Sequence, residues 1–367
     1  MPVEGGAPVL DSAKESAAPV DGISTPAETQ AAPTEPTAVA TPAAPPPVDD
    51  AAAQAFTAPI VVPEITAETG QRVAAPPVAT VPETVNVIEQ IDNRTVINYN
   101  NTLIIQNIDT GRLTAERDEV FYDSLPRGRT RETIVRPNGV QLVTVRNRFG
   151  DIIQRTRILP NGDEYLLAYA PQYDSEEYVE WVDPGRALPP LRLTIPIGDY
   201  ILEASVAETS DYLDFLLEPP VEQVERVYSV QEVKRSARIR DKVRRIDLDT
   251  LTFEFGKASI AEDQIERLAN VANAMTDILE RNPAETFLIE GHTDAVGREQ
   301  ANLVLSDRRA EAIAVALTDV FGIPPENLTT QGYGERYLKV RTEKPERLNR
   351  RVTIRRITTL VKPVAQN

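Results

Sequence analysis

The chain has 367 residues, 56 acidic against 39 basic side chains, a net charge of −17, no cysteine and one histidine. Disulfides, thiolate nucleophiles and cysteine-based metal sites are therefore excluded, as is nearly all histidine-based catalysis. An acidic chain without a concentrated basic face argues against a nucleic-acid partner, and no apolar run approaches the roughly 18 to 20 residues of a transmembrane helix.

Residues 1–85 differ in composition from the rest of the chain. They hold half of the 30 prolines, many of them in Ala-Pro pairs, and very few basic side chains. Such a sequence favours extended chain and cannot bury enough apolar surface to offset the entropy of ordering. We expect a disordered Pro/Ala-rich spacer. The opening MPVEGGAPVL lacks the basic start and apolar centre of a signal peptide, so for an exported protein the signal has been removed from this sequence.

Residues 86–195 are rich in strand-forming residues. Pro-Asn-Gly occurs at 137–139 and again at 160–162, with Phe-Gly-Asp at 149–151 between them, and β-branched runs flank each of the three. Tight-turn signals at this spacing predict a meander of about four short strands. We therefore expect a small β-rich module, for which the sequence indicates no role.

Residues 196–245 predict a helical connector. The stretch ILEASVAETSDYLDFLLEPP is typical of a short helix that ends at a Pro-Pro pair, and a charged stretch follows it. In this second stretch valines recur at every third position from Val221 to Val230 and make one apolar face. We expect that face to pack either against the β-rich module or against the C-terminal domain.

Residues 246–358 alternate strand and helix signals, and residues 359–367 are expected to form a tail. IDLDTLTFEF alternates apolar and polar residues as a half-buried strand does, and AEDQIERLANVANAMTDILE repeats apolar residues at helical spacing. ETFLIEG predicts a second strand, and a second helix is expected from Glu299 to Phe321, where Gly322 ends it. With LTTQGYGE and RRVTIRRI as closing strands, the order βαβα-ββ predicts an α+β fold, a mixed sheet with helices on one face.

Three residues of this domain form a candidate binding site. Asp294 falls in the loop after the second strand, at the sheet edge where α/β proteins commonly bind ligands. Asn302 and Arg309 are two helical turns apart and share one face of the second helix. An aspartate that accepts an ammonium and an arginine that offers its planar fork to a carboxylate suit a zwitterionic head group. The alternative is a plain intramolecular salt bridge between Asp294 and Arg309.

Several short motifs occur together and in order in this region. They are GHTD at 291–294, Asn302-x-x-Leu305-Ser306-x-x-Arg309-Ala310, GYGE at 332–335 and NRRV at 349–352. From Thr250 to Arg356 the chain resembles the OmpA-like peptidoglycan-binding domain. The resemblance implies that Asp294 and Arg309 hold the diaminopimelate residue of the peptide stem without a covalent bond. It also implies that Thr293 and Asn302 support the site and that Arg347 and Arg350 lie near it.

The resemblance further implies a protein of the Gram-negative periplasm that ties the outer membrane, or an envelope partner, to the cell wall. The order of spacer, β-rich module and binding domain is similar to long OmpA-family proteins of alphaproteobacteria. Two departures stand out: Arg336-Tyr337-Leu338 follows GYGE where the family often has a small residue and proline, and there is no cysteine for lipidation. An alternative is a docking module in which residues 86–195 bind another envelope protein and wall binding is secondary.

An enzyme acting on the wall is the contrasting hypothesis. A glycan hydrolase needs paired carboxylates, and Glu290 and Asp294 are the nearest pair, but the sequence shows no partner that would raise the pKa of Glu290. His292 lies at a strand end without a second histidine or a cluster of metal ligands nearby, so a packed or hydrogen-bonded turn residue is expected. We therefore predict a non-enzymatic protein with no catalytic residue, metal or cofactor.

Overall fold

The structure is a computed structural model that describes residues 7–15, 44–54, 56, 60–62, 64, 68–76, 79–80, 85–99, 102–253 and 256–364. It has a mixed α+β fold with three β-sheets. The strands are β1 (Gln71–Val73), β2 (Asn86–Ile91), β3 (Arg94–Tyr99), β4 (Thr102–Asn107), β5 (Glu119–Ser124), β6 (Thr130–Val135), β7 (Gln141–Arg146), β8 (Ile152–Ile158), β9 (Glu164–Tyr169), β10 (Ile201–Glu203), β11 (Arg245–Asp247), β12 (Phe287–Gly291), β13 (Leu328–Gly332) and β14 (Val352–Arg356). The helices are α1 (Asp11–Glu15), α2 (Asp50–Ala53), α3 (Thr110–Leu113), α4 (Ile197–Tyr200), α5 (Asp211–Leu217), α6 (Val230–Arg235), α7 (Ala237–Arg240), α8 (Glu262–Ile265), α9 (Ala269–Arg281), α10 (Glu299–Asp319) and α11 (Thr358–Val361).

Strands β2, β3 and β4 form a three-stranded antiparallel sheet, called the small sheet below. Side chains alternate between its two faces because the repeat of a strand is two residues. Val96 and its partner Ile105 pack on one face against Leu303 and Val304 of α10. Strand β2 is the exposed edge of this sheet. The small sheet therefore lies on the helix that carries the predicted site.

Strands β1 and β5 to β9 form a six-stranded antiparallel sheet, called the large sheet below. Its tight turns coincide with the predicted turn motifs, since Gly139, Gly150 and Gly162 have φ values of 80°, 91° and 91°. Each glycine N–H donates to the carbonyl three residues earlier. A left-handed φ carries no steric cost for glycine, so these positions fix where one strand turns into the next.

The C-terminal sheet has the strand order β10-β11-β14-β12-β13, with β12 and β13 parallel. Helices α9 and α10 cover one face, where Phe287 and Ile289 of β12 pack against Met275, Ile313 and Leu317. This is the predicted mixed sheet with its helical layer. Strand β10 adds an edge from the connector, within a stretch for which the sequence predicts a helix. The first predicted strand is shorter than expected, and two of its residues, 254 and 255, lie outside the described residues.

The second face of the C-terminal sheet is also covered. Leu288, which points away from Phe287 and Ile289, packs against Val233 and Ile239 of the connector and against Leu360 of α11. Val224 of the predicted valine face belongs to the same cluster and Val230 packs against it, so this part of the connector packs on the C-terminal domain. Next to this apolar cluster, charged side chains fill the space between sheet and connector.

The predicted spacer, residues 1–85, falls largely outside the described residues. Those that are described differ from a chain without structure, because α1, α2 and β1 lie in this range. Asp11 of α1 is buried beside Arg245 and Arg355, and Asp50 of α2 pairs with Arg356. In the predicted tail, the end of α11 is buried as far as residue 361. Within the described part of the chain, every helix is too short or too polar to cross a membrane.

Candidate functional site

The loop after β12 is held by close backbone contacts. A Cβ on Gly291 would lie 1.9 Å from the carbonyl oxygen of Ser306, so only glycine allows β12 and α10 to approach this closely. The N–H of His292 donates to the carbonyl of Arg351 at 3.0 Å, and the N–H of Thr293 donates to that of Gly334 at 2.9 Å. These bonds fix the backbone immediately before Asp294.

Asn302 ties this loop to the GYGE segment. Its side-chain amide donates to the carbonyl of Val296 at 3.2 Å and to a carboxylate oxygen of Glu335 at 2.6 Å. Gly297, between loop and helix, has a φ of 119°, which lets the chain fold back over the start of α10. Asn302 therefore holds the loop after β12 against the GYGE segment.

Asp294 is only 4% exposed, and its carboxylate accepts hydrogen bonds from three groups of the described chain. The guanidinium of Arg350 donates at 2.5 Å, and the N–H groups of Glu346 and Val296 donate at 3.3 and 3.4 Å. The ion-pair partner of Asp294 is thus Arg350, which the resemblance places near the site. Asp294 and Arg309 do not form the plain salt bridge that the sequence leaves open as an alternative.

Arg309 is 1% exposed and projects from α10 toward the same space. Its Nε donates to the carbonyl of Lys257 at 3.1 Å, and its guanidinium carbon lies 4.8 Å from the ring centre of Phe253. Burial and the positive charge of Arg350 lower the pKa of Arg309 to about 10, against the attraction of Asp294. The charge of Arg309 thus lies within electrostatic reach of both Arg350 and Asp294.

A pocket of about 540 Å³ opens beside these side chains. Of the predicted site residues it is lined by Thr293, Asp294, Asn302, Arg309 and Arg350. The Oγ1 of Thr293 is buried and has no hydrogen-bond partner among the described residues.

Arg347 is not brought into this pocket. It is exposed and donates to the carbonyl of Asp249 at 3.4 Å. Arg350 lines the pocket, as expected for a residue near the site. Arg347 does not line it, so the expectation that Arg347 lies near the site finds no support there.

The outer wall of the pocket comes from a part of the chain that sequence reasoning did not connect with the site. Glu89 and Ile91 of β2 line it, opposite the first turns of α10. The small sheet is held there by Arg94, whose Nε donates to Asp307 at 2.8 Å and whose guanidinium also contacts Glu311. No motif in β2 signals this role, because it depends on packing between segments about 200 residues apart.

Two other sequence candidates lie in closed surroundings. Glu290 is fully buried, with Arg240 and Arg355 at 3.0 and 2.9 Å from its carboxylate oxygens, and it does not line the pocket. His292 is 1% exposed and stacks near Tyr333, with ring centres 5.6 Å apart. Burial, aided by nearby Arg351, lowers the pKa of His292 well below its usual value, so the ring is neutral.

The arrangement offers binding groups and no metal cage. Among the described residues, no group of three or more acidic or histidine side chains could hold a metal ion. Glu290 pairs with two arginines and does not line the pocket that Asp294 lines, which weakens the hypothesis that the two carboxylates act as a pair. What the pocket presents is a set of fixed, charged hydrogen-bonding groups around an opening.

Comparison with known proteins finds a family match in the C-terminal part of the chain. Residues 252–351 match the OmpA family. Over 91 residues the chain is 34% identical to outer membrane porin F of Pseudomonas aeruginosa, covering 25% of this chain and 25% of that protein. Over 108 residues it is 28% identical to the peptidoglycan-associated lipoprotein of Pasteurella multocida, covering 29% of this chain and 61% of that protein.

Among solved structures, the peptidoglycan-associated lipoprotein from Burkholderia pseudomallei is similar at 26% identity and a TM-score of 0.25, covering 29% of this chain and 86% of that one. The chain spans about a quarter of the length of the porin from Pseudomonas aeruginosa. The family match coincides with the segment that carries β12, α10, β13 and the pocket residues after Gly291. The C-terminal part of this chain, residues 252–351, is an OmpA-like domain.

Proposed function

We propose that this chain binds peptidoglycan without a covalent bond and anchors the outer membrane, or an envelope partner, to the cell wall from the periplasm. The observation that carries the proposal is the pocket in which Arg309, Arg350 and Asp294 present two cations and one anion side by side. Relatives named as peptidoglycan-associated lipoproteins support the choice of ligand.

The free end of a diaminopimelate side chain carries one ammonium and one carboxylate. The carboxylate fits the planar guanidinium of Arg309, which presents paired N–H donors in a fixed plane. The ammonium fits the carboxylate of Asp294, where it would share that group with Arg350. Thr293, whose hydroxyl lacks a partner among the described residues, adds a polar group at the same wall.

The expected affinity of one such site is modest. Each charged hydrogen bond contributes about 1.5 to 3 kcal/mol, and removal of one partner should weaken binding about 10- to 150-fold. Asp294 and Arg309 are both nearly fully buried, so solvent screening weakens their interaction with a ligand less than at an exposed site. An anchor of this kind holds by many weak sites on a polymer and needs no chemical step.

The proposal can be tested by sedimentation of the full chain with purified peptidoglycan. We expect Asp294→Ala and Arg309→Ala to lose retention and Arg309→Lys to lose most of it, because lysine keeps the charge but not the fork. Asp319→Ala, at an exposed position near the end of α10, and Arg192→Ala, also exposed, serve as matched controls. Competition by meso-diaminopimelic acid should release the wild type.

Two outcomes would contradict the proposal. Equal retention of the wild type and both alanine variants, with native melting curves, would remove the assigned site. Steady release of soluble fragments from labelled peptidoglycan would instead favour a wall-degrading enzyme.

A further inference from the structure

A second opening, called the central cleft below, lies between the large sheet, the small sheet and α6, and has a volume of about 580 Å³. Its floor is one face of the large sheet. Tyr122, Glu132, Thr144 and Arg155 form one cross-strand row there, and all of them except Thr144 line the cleft. Thr95 and Ile97 of the small sheet face it from above, on the side away from α10. The size is that of ordinary small-molecule sites, about 300 to 1,000 Å³.

Half of the charged side chains that line the central cleft form ion pairs inside the protein. Arg155 and Arg146 both pair with Asp109, at 2.7 and 3.3 Å. Glu326 pairs with Arg136 at 2.6 Å. These groups hold the walls together and have little charge left to offer a ligand.

Four lining charges have no ion pair among the described residues, namely the exposed Arg148, Asp151, which accepts a hydrogen bond from Asn147, and the buried Lys234 and Glu132. Lys234 of α6 is 6% exposed, and within the described chain its ammonium makes no hydrogen bond or ion pair. Glu132 is 7% exposed, accepts a hydrogen bond from the hydroxyl of Thr110 at 3.2 Å, and has no cation within ion-pair distance among the described residues. A buried charge without a counter-ion is costly, and here one of each sign faces the same opening.

The surroundings of Lys234 show that the protein leaves its charge uncompensated. Burial lowers the pKa of Lys234 to about 8; Asp109 and Asp307 attract the charge, but Arg112 and Arg155 oppose it. A carboxylate from outside would restore the missing partner. In the same way, an ammonium from outside would satisfy Glu132.

We propose that the central cleft binds a short peptide with free ends, its carboxylate at Lys234 and its ammonium at Glu132. Uncharged polar side chains suited to the amide groups between the two ends line the cleft, namely Thr95, Gln106, Thr130, Gln231 and Thr329. The apolar walls at Ile97 and Leu167 suit small apolar side chains. This site lies apart from the Asp294 pocket and does not rest on the function proposed for that pocket.

The test is calorimetric titration of the full chain with alanine and with di-, tri- and tetra-alanine. The length that binds best is then compared with its N-acetylated and its C-amidated forms. We expect saturable binding for at least one length, and at least tenfold weaker binding when either end is blocked, since each block removes one charged contact.

Two variants assign the ends. Lys234→Met should abolish the preference for the free carboxylate, and Glu132→Gln should abolish the preference for the free ammonium. Both are expected to fold, because replacing an unpaired buried charge by a neutral group removes a cost. Lys344→Met and Glu164→Gln, at exposed positions, are the matched controls and should titrate like the wild type.

Absence of saturable binding at every length, equal affinity for blocked and free peptides, or unchanged preferences in both variants would overturn the inference. Retention on peptidoglycan by Lys234→Met should equal that of the wild type. The two sites can therefore fail independently.

Discussion

Arg94 joins the small sheet to α10, the helix of the candidate site. Its replacement by methionine should measure how much this link contributes to the free energy of unfolding. Its side chain is 4% exposed, and it pairs with Asp307, which is 1% exposed, at 2.8 Å. Loss of one partner of a buried pair costs about 3 to 5 kcal/mol, because the other charge stays buried without compensation. Asp307 retains a hydrogen bond from the N–H of Gly332 at 3.0 Å, so we expect the lower end, about 3 kcal/mol.

The assay is urea unfolding of Arg94→Met followed by tryptophan fluorescence. The single tryptophan, Trp181, reports on the small sheet because its ring lies 5.3 Å from that of Tyr99, at the end of β3. The double variant Arg94→Met/Asp307→Asn should recover more than half of the lost free energy of unfolding, since it no longer buries an unpaired carboxylate.

The pH dependence gives a second check. Burial raises the pKa of Asp307 and Arg94 opposes this, so loss of Arg94 should raise that pKa further. The loss in free energy of unfolding caused by Arg94→Met should therefore become smaller as the pH falls from 7 toward the pKa of Asp307. Arg308→Met is the control, because Arg308 pairs with Asp92 at an exposed position and should cost less than about 1 kcal/mol. A loss below about 1 kcal/mol for Arg94→Met, or no recovery in the double variant, would refute the reasoning.

Two further predictions concern the C-terminal sheet. Although burial opposes it, Arg245 and other cations lower the pKa of Asp247 to about 2. Above pH 4 this group therefore contributes about 2.5 kcal/mol to the free energy of unfolding, and the contribution is lost as the pH falls toward 2. Between pH 4 and pH 2 the free energy of unfolding should fall less steeply for Asp247→Asn than for the wild type. An equally steep fall in both would contradict the assignment. Gly291→Ala should prevent native folding of the domain because the new Cβ meets the carbonyl oxygen of Ser306. Gly198→Ala, with no atom within 4 Å, should melt like the wild type by circular dichroism, and a normal melt of Gly291→Ala would show that strand and helix can separate without cost.

The parts of the fold that the sequence predicts are those encoded by local signals. The period of apolar residues predicts α10 from Glu299 to Phe321, and the helix ends two residues earlier, at Asp319, with Gly322 at a φ of 74° just beyond it. The turns at Gly139 and Gly162 depend on residues beside them in the chain, so their positions are also visible in advance.

The parts that escape prediction depend on contacts between distant segments. In the charged stretch of the connector, Arg240 and Lys242 are fully buried, which the sequence does not predict. Their partners are Glu290, fifty residues later, and Glu222 and Glu225, which precede α6. Spacing along one helix cannot show such pairing, because the acid that neutralises each cation lies on another element.

The candidate site likewise has a part that local spacing predicts and a part that depends on contacts between distant segments. Asp294, Asn302 and Arg309 lie on one loop and one helix, and the structure brings them to one pocket as their spacing predicts. Glu89, on the outer wall, could be found only after the small sheet was placed on α10. That Arg350, and not Arg309, forms the ion pair with Asp294 follows from the return of the last strand beside β12.

The double covering of the C-terminal sheet bears on how this protein should be dissected. A fragment trimmed to residues 252–351 would keep the loop after β12 but lose β14, the strand that pairs with β12, and both arginines that pair with Glu290, Arg240 and Arg355. It would also expose Leu288 to water, and fragments with a newly exposed apolar surface tend to associate or precipitate. Affinities measured on the excised piece would then describe an altered molecule, and cutting before the connector, not after it, is the sounder boundary for biochemical work.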